Sequence, residues 1–520
     1  MKKFSIILLT LCLVSASGCK KYLDVNTNPN APQTVTANLY LSPMLHWMAT
    51  APQYDSRYIG RYTQNWTSTS SGTTWDLQGY DPATDNGAEL WRDVYWSLGQ
   101  NLVDMMTKSE AEQRWDLLGV GYILKAWGWL TLTDIHGEII IKEAFDPTRT
   151  TFDYDTQDYA YSEVIRLLNL AITNLQRTDG AVDATFLGKT DLFYKGDRTK
   201  WLKFAYGLLA MTQNHFSNKS TYDPASVIAN VDKSFASNAD DALITYTGVS
   251  NDDKNFLGNT RNNMGSYRQT TFIVNLMNGV QFGAIGDPRL TRMLSPSTDG
   301  VYRGVVTGSG TGGFTAAQVP LNIWGYSTVP ATGTQVRYVF SDKSHLPIMT
   351  YAQLQFIKAE AAYRMGNKPL ALAAYVNGIS AHIDFVNARN LDDNQNVTQI
   401  SAAEKAAFLA STPIVPLAAT DLTLSQIMCQ KYIAQWGWGH CETWMDLRRY
   451  HYTDADPATG KQVFLGYVFP TTLYADNAGK PAYRIRPRYN SDYVWNVPGL
   501  TAIGGLALDY HTKQTWIVQP

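Results

Sequence analysis

The sequence predicts a mainly α-helical protein whose helices come in pairs, with a loop-rich, partly irregular half that carries few short strands. Three observations predict it. Helix-like segments bounded by capping residues alternate with long loops along most of the chain. The stretch 245–345 breaks that alternation and is rich in Gly, Asn, Thr and Tyr. The 520 residues include 15 Trp and 31 Tyr, many of them outside the helix-like segments.

The chain opens with Met1, Lys2 and Lys3, an apolar run from Phe4 to Val14, and Ser15-Ala16-Ser17-Gly18 directly before Cys19. This is the layout of a secretory signal peptide, and its apolar run is far shorter than the roughly 20 residues of a membrane-spanning helix. A cysteine immediately after the small residues reads as a lipobox, which makes Cys19 the acylated first residue of a lipoprotein. The alternative is an ordinary secreted protein. Residues 1–18 then stand outside the fold, 19–38 form a polar, lipidated tether, and 39–520 form a single helical-repeat domain. Loss of Lys2 and Lys3 moves the formal charge from −2 to −4. That is mild for this length and points to no nucleic-acid partner. No later segment is apolar enough to cross a bilayer, so the lipid is the expected membrane anchor.

Helices are expected near 39–50, 87–107, 110–133, 157–176 and 198–216, with another starting at Pro224 behind the capping residue Asp223. A loop of Gly, Ser, Thr and aromatics occupies about 62–86. Residues 245–345 read as loops with a few short strands, for which the alternating runs Val301–Val306 and Gln335–Phe340 are the candidates. Thr350 and Gln353 match a capping box and open a helix that ends at Gly366-Asn367. Ala359, Gly366, Ala371, Tyr375 and Gly378 follow the small-small-aromatic spacing of a tetratricopeptide-like helical pair. Thr423 and Gln426 match a second capping box, opening a helix toward Arg448 and Arg449. Cys429 and Cys441 would lie about 18 Å apart on one continuous helix, beyond disulfide reach. Free, buried thiols are therefore expected unless Trp436-Gly437-Trp438-Gly439 breaks the helix sharply.

Several motifs point away from catalysis. Gly308 to Gly313 spells GxGxxG, but no strand precedes it and no amphipathic helix follows, so a loop is expected. Asp134, His136 and Glu138 lie where a helix ends, with Gly137 placed to cap it. His440, Cys441 and Glu442 are neighbours whose side chains diverge on a helix. No spacing singles out the pair of carboxylates that glycoside hydrolysis needs. No catalytic residue, metal or cofactor is expected.

The loop from Tyr62 to Tyr80 sets Trp66, Trp75 and Tyr80 among amides and hydroxyls, and Trp324 and Tyr326 sit in a similar setting. Flat apolar faces beside hydrogen-bonding groups suit sugars, whose rings offer C–H faces and a rim of hydroxyls. These five residues are the candidate ligand-binding set. The competing reading is that they pin long loops onto the helical body.

Blocks along nearly the whole chain resemble the SusD/RagB family of nutrient-binding outer-membrane lipoproteins. They are the start Cys19-Lys-Lys-Tyr-Leu-Asp, the stretch Thr133 to Ala144 (with Glu138 and Ile140 where the family usually has Asp and Pro), and Thr199 to Ala205. Asp287-Pro-Arg-Leu290, Leu354 to Tyr363, and Gln430 through Trp444 to Arg449 complete the set. The resemblance implies a tetratricopeptide-like helical fold without catalysis. It also implies an outward-facing, lipid-anchored protein that captures oligosaccharide or peptide and partners a SusC-like TonB-dependent outer-membrane transporter. A surface glycoside hydrolase and a protein-binding scaffold are the alternatives from other classes. Trp444 is expected in the core, and Arg448 and Arg449 at the negative end of their helix.

Overall fold

The computed structural model describes residues 35–395 and 397–520. The signal segment, Cys19 and the tether as far as Thr34 lie outside the described residues. Ten helices carry the architecture: α1 (Leu41–Tyr62), α2 (Gly99–Ala111), α3 (Trp115–His136), α4 (Gln157–Gln176), α5 (Arg198–Asn214), α6 (Pro224–Lys233), α7 (Tyr351–Arg364), α8 (Lys368–Arg389), α9 (Leu424–Gln435) and α10 (His440–Arg449). From α3 to α6 each helix packs on the next; α7 then packs on α5, α6, α8 and α9. Among the described residues there are two small antiparallel sheets. One pairs β1 (Trp66–Ser68) with β3 (Tyr267–Gln269), and the other pairs β2 (Ala242–Ile244) with β4 (Leu346–Met349).

The helical expectations hold where caps and an apolar face agree. Helix α4 spans Gln157–Gln176, and α6 starts at Pro224 with the Asp223 carboxylate accepting from Ala225 and Ser226 N–H. The capping box at Thr423 and Gln426 is complete. At Thr350 only one arm forms: its hydroxyl accepts from Gln353 N–H, whereas the Gln353 amide turns toward Met211 Sδ at 3.5 Å. The tetratricopeptide-like pair α7–α8 closes tightly because a Cβ on Gly378 would sit 2.8 Å from the Phe356 ring. Gly137 caps α3 at φ 86°, a left-handed conformation that glycine adopts without strain.

Five elements differ from expectation. Helix α1 runs to Tyr62 through Pro52. Burial of Leu41, Met44, Leu45, Met48, Ile59 and Tyr62 offsets the roughly 3 kcal/mol that an interior proline costs. The helix expected over 87–107 is instead a short turn, Glu89–Arg92, a π-helix, Asp93–Leu98, and then α2. The run Gln335–Phe340 forms no strand, and from Val301–Val306 only Val305 bridges to Thr270. The segment toward Arg449 breaks between Gln435 and His440. Even so, Cys429 and Cys441 stay free, and burial pushes the Cys429 thiol up to about 12.

A chain of buried charges joins the helices. Arg449 on α10 forms a forked pair with Glu360 on α7 (2.8 and 3.0 Å) and reaches Asp446 at 2.6 Å. Lys431 on α9 lies 2.8 Å from Asp446 and 3.0 Å from Glu442. Glu442 then meets His215, just past α5, at 2.9 Å, and the other ring nitrogen of His215 lies 3.4 Å from Asp134 on α3. Asp134 also accepts from the Tyr161 hydroxyl on α4. Burial alone would lower the His215 pKa, but Asp134 and Glu442 outweigh it and raise the imidazole to about 9. Burial would raise Glu360 and Glu442; Arg449 on the first, and Lys431 with His215 on the second, hold both below the ordinary value. Trp444 is fully buried, as expected. The two arginines occupy the last turn of α10, as expected, and each also has a specific task. Arg449 neutralises carboxylates, while Arg448 stacks on Trp444 and donates to the Tyr483 and Asp134 carbonyls.

Two outcomes follow from this chain. Arg449→Met leaves Glu360 with only Arg364 at 3.4 Å and Asp446 with only Lys431 at 2.8 Å as cationic partners, and should cost about 3 kcal/mol in urea unfolding. His215 has a folded pKa above its ordinary 6.5, so its contribution is whole below pH 6.5 and is lost as the pH rises through about 9. Thermal melts should show the wild type losing roughly 1–3 kcal/mol more than His215→Gln between pH 6.5 and 9.5. Parallel pH profiles would refute a protonated His215.

Candidate functional site

The structure buries four of the five aromatics expected to bind ligand. Trp66 is fully buried against Gly60, where a Cβ would come within 2.7 Å of its ring, and its indole N–H donates to Ser56 O at 2.8 Å. Trp75 donates to Asp81 at 2.9 Å and is enclosed by Tyr58, Tyr62 and Tyr80 at 4.9–5.1 Å between ring centres. Tyr80 is 3% exposed, and the Arg486 guanidinium stands over its ring. Trp324 is fully buried and donates to Leu257 O at 2.9 Å. With their faces covered, and the three indole N–H groups spent on Ser56, Asp81 and Leu257, Trp66, Trp75, Tyr80 and Trp324 pin loops to the body, which corrects the stacking expectation for them. Tyr326 alone of the five is exposed, at 37%, with its hydroxyl donating to Gln335 O. The glycine run 308–313 is a turn laid against residues 69–72, with Thr311 N–H donating to Thr69 O.

A different set of aromatics lines an open groove of about 330 Å³. One wall is Trp91 and Tyr95, from the turn Glu89–Arg92 and the π-helix that follows it. The second wall is Ile140, Ala144, Phe145 and Phe152 from the loop after α3. The third is Ser491, Asp492, Trp495 and Asn496, on and just beyond a second π-helix, Tyr489–Tyr493. Single π turns of this kind are uncommon and gather at functional sites. Trp495 is 73% exposed at the groove mouth, and Trp96, next to Tyr95 in sequence, is 68% exposed.

Each wall is fixed from behind. Asp55 on α1 reaches across to accept from Glu89 and Leu90 N–H (3.1 and 2.9 Å), capping the turn that carries Trp91. Burial pushes that carboxyl up to about 7, with the two backbone donors opposing the shift. The Tyr95 hydroxyl donates to Ile140 O at 2.8 Å and accepts from Ile140 N–H at 2.9 Å, so the first two walls move together. Asn496 brackets the Phe152 backbone, accepting from its N–H at 2.9 Å and donating to its carbonyl at 3.0 Å. Asp492 is 3% exposed and accepts from Tyr154 and from Ser491 (2.8 Å). Burial raises its pKa, against the hydroxyls of Tyr154 and Ser491.

The arrangement offers apolar ring faces beside a few fixed polar groups, the make-up of a site for a flat, polar molecule. Sequence reasoning passed over it because Trp91 and Tyr95 share a helical face at i, i+4 and so read as core, while Trp495 lies in an irregular tail. Among the described residues, no group of three or more His, Cys, Asp or Glu side chains is placed to hold a metal, and no helix is long and apolar enough to cross a membrane.

The family model for SusD-like proteins, described as starch-binding and associating with the outer membrane, matches residues 29–469. The chain belongs to the SusD-like family. Solved structures share its fold. A SusD/RagB family protein of Bacteroides thetaiotaomicron is 21% identical, with a TM-score of 0.70 over 93% of this chain and 99% of the other. A SusD homolog of Bacteroides fragilis is 18% identical, with a TM-score of 0.69 over 93% and 100%. A chitin-binding SusD homolog of Flavobacterium johnsoniae is 20% identical, with a TM-score of 0.65 over 93% and 98%. No curated protein matches. The SusD-like assignment accounts for the sequence blocks noted above. Asp287 and Arg289, for example, form a buried pair at 2.5 Å, with Arg289 also bonded to His382 and Gln430.

If the buried tryptophans of this SusD-like chain are structural pins, Trp66→Ala and Trp324→Ala should each cost about 3–5 kcal/mol in denaturant unfolding. The folded fraction should bind ligand as the wild type does.

Proposed function

We propose that this SusD-like protein is a surface lipoprotein that captures oligosaccharides in the aromatic groove and delivers them to a partner SusC-like TonB-dependent transporter. Cys19 would hold it to the outer membrane, with residues 20–38 as the leash. The observation that carries the reading is Trp495, a broad apolar face open to solvent at the mouth of a groove whose same wall carries Asp492 and Asn496. A sugar ring stacked on Trp495 would turn its hydroxyl rim toward those groups. Asp492 is the one carboxyl in the groove lining, whereas glycoside hydrolysis uses two, so the reading is binding without catalysis. The chitin-binding relative and the starch-binding family description both support a glycan over a peptide.

Calorimetry of the mature protein against maltooligosaccharides, chitooligosaccharides and unstructured peptides tests this. Trp495→Ala should weaken binding of the preferred glycan at least tenfold, about 1.4 kcal/mol, with an unchanged melting temperature. Binding to peptides alone, or glycan binding indifferent to Trp495→Ala, would sink the proposal.

A further inference from the structure

A second cleft, of about 300 Å³, opens in the loop-rich half, lined by Asn259, Gln335, Asp342, Asp393, Asn394 and Gln395 among others. Three separate chain segments meet there, and their hydrogen bonding is lopsided. The Asn259 amide donates to the Pro330 and Ala331 carbonyls (3.3 and 3.0 Å). The Gln335 amide donates to Asn394 O at 3.0 Å. The Gln395 amide donates to Tyr338 O at 3.2 Å and Arg389 O at 3.0 Å. All three side chains have committed N–H groups to backbone carbonyls.

On these three amides, acceptors are what remain. Gln395 is 4% exposed, and its Oε1 is buried with no hydrogen-bond partner among the described residues. Leaving such an oxygen unpaired costs on the order of 1–3 kcal/mol. Asp342 and Asp393 add two carboxylates, each already taking bonds from protein donors, at Thr260 and at Lys343 N–H respectively. Asp393 and Asn394 both hold left-handed backbone, at φ 53° and 57°. The exposed Lys343 adds a donor on the same lining, so a ligand that both donates and accepts from adjacent groups, as the hydroxyls of a sugar ring do, fits this cleft. Tyr326 stands next to it, with its hydroxyl bonded to the Gln335 carbonyl at 2.8 Å.

We propose that this cleft is a second carbohydrate site, which takes a single sugar ring through its hydroxyls and acts independently of the aromatic groove. It extends the glycan-capture reading of the groove, giving the protein two points of hold on a soluble glycan.

Calorimetry with maltotriose on the mature protein separates the two sites. The expected wild-type isotherm has two sites. Trp495→Ala should remove one and leave the affinity of the other within about threefold. In that background Asp393→Asn, which suits left-handed backbone and removes only the charge, should weaken the remaining site at least tenfold. Thr334→Trp, which places an indole in the cleft wall, should abolish it, with melting temperature as the check on folding. If Trp495→Ala leaves no binding, or its residual binding ignores both cleft variants, the second site is overturned and the groove stands. If Trp495→Ala changes nothing while the cleft variants remove all binding, the groove reading fails and the cleft stands. Residual binding shown only by amino sugars, and absent with maltotriose, would also overturn the proposal, because it would mark an ammonium site.

Discussion

The fold depends first on keeping the charge chain from Glu360 to Asp134 neutral. Moving an ion from water into a protein interior costs several kcal/mol even after relaxation, so each member is tolerable only while its partners hold it. The carboxylates of Glu360, Asp446, Glu442 and Asp134 are met by Arg449, Lys431 and a protonated His215, with Arg364 at the half-buried end, 3.4 Å from Glu360. The members come from α3, α7, α9, α10 and the turn after α5, so a shift of any one helix leaves a charge bare. Apolar packing alone would let such helices slide by a turn at modest cost. The charge chain fixes their register.

The loop-rich half hangs from this frame by polar hooks more than by regular structure. Arg448 ties the tail to the end of α3 through the Tyr483 and Asp134 carbonyls, and Asn218 donates to Arg449 O and Val518 O. Arg289 binds the loop before it to α8 and α9 through His382 and Gln430. Trp66, Trp75, Trp324 and Trp436 do the same with one indole N–H each. The groove is therefore built from irregular segments, yet each is held from behind by α1, α3 or the loop across it. Sites held in this way keep their geometry without an ordering cost when ligand arrives.

Much of the frame was legible in the sequence, and little of the groove was. Helix α4, the start of α6, the cap at Thr423 and the α7–α8 pair depend on local signals, namely capping side chains and small residues at fixed spacing. Helix α1 outran its proline because burial of its apolar face is a tertiary gain that no local rule counts. The strand expected at Gln335–Phe340 failed for the opposite reason. Its alternation is real, but no partner strand lies beside it, and Tyr338 and Phe340 pack instead against Trp436. Trp66, Trp75, Tyr80 and Trp324 misled because polar sequence neighbours say nothing about which face of a loop turns inward. The two π-helices left no signature, since one extra residue in a turn is decided by what the turn packs against.

Exposure is the feature that distinguishes the groove from the rest of this aromatic-rich chain. Of its 15 tryptophans, only Trp96 and Trp495 are exposed, and each lies on or just beyond one of the two π-helices. A folded chain gains about 25 cal/mol for each Å² of apolar surface it buries, and this one has found full or partial cover for every other indole. In a regular helix Trp91 and Tyr95 would share a face, with Trp96 turned roughly 140° from Trp91. The π-helix Asp93–Leu98 adds a residue to the turn, leaving Tyr95 bonded to Ile140 while Trp96 stays in solvent. At the opposite wall, Asn496 and Asp492 are anchored while Trp495, between them in sequence, stands free. Both walls thus spend their polar groups on rigidity and leave a bare aromatic face outward. A chain under pressure only to fold would bury those faces; keeping them open makes physical sense where a ligand supplies the cover.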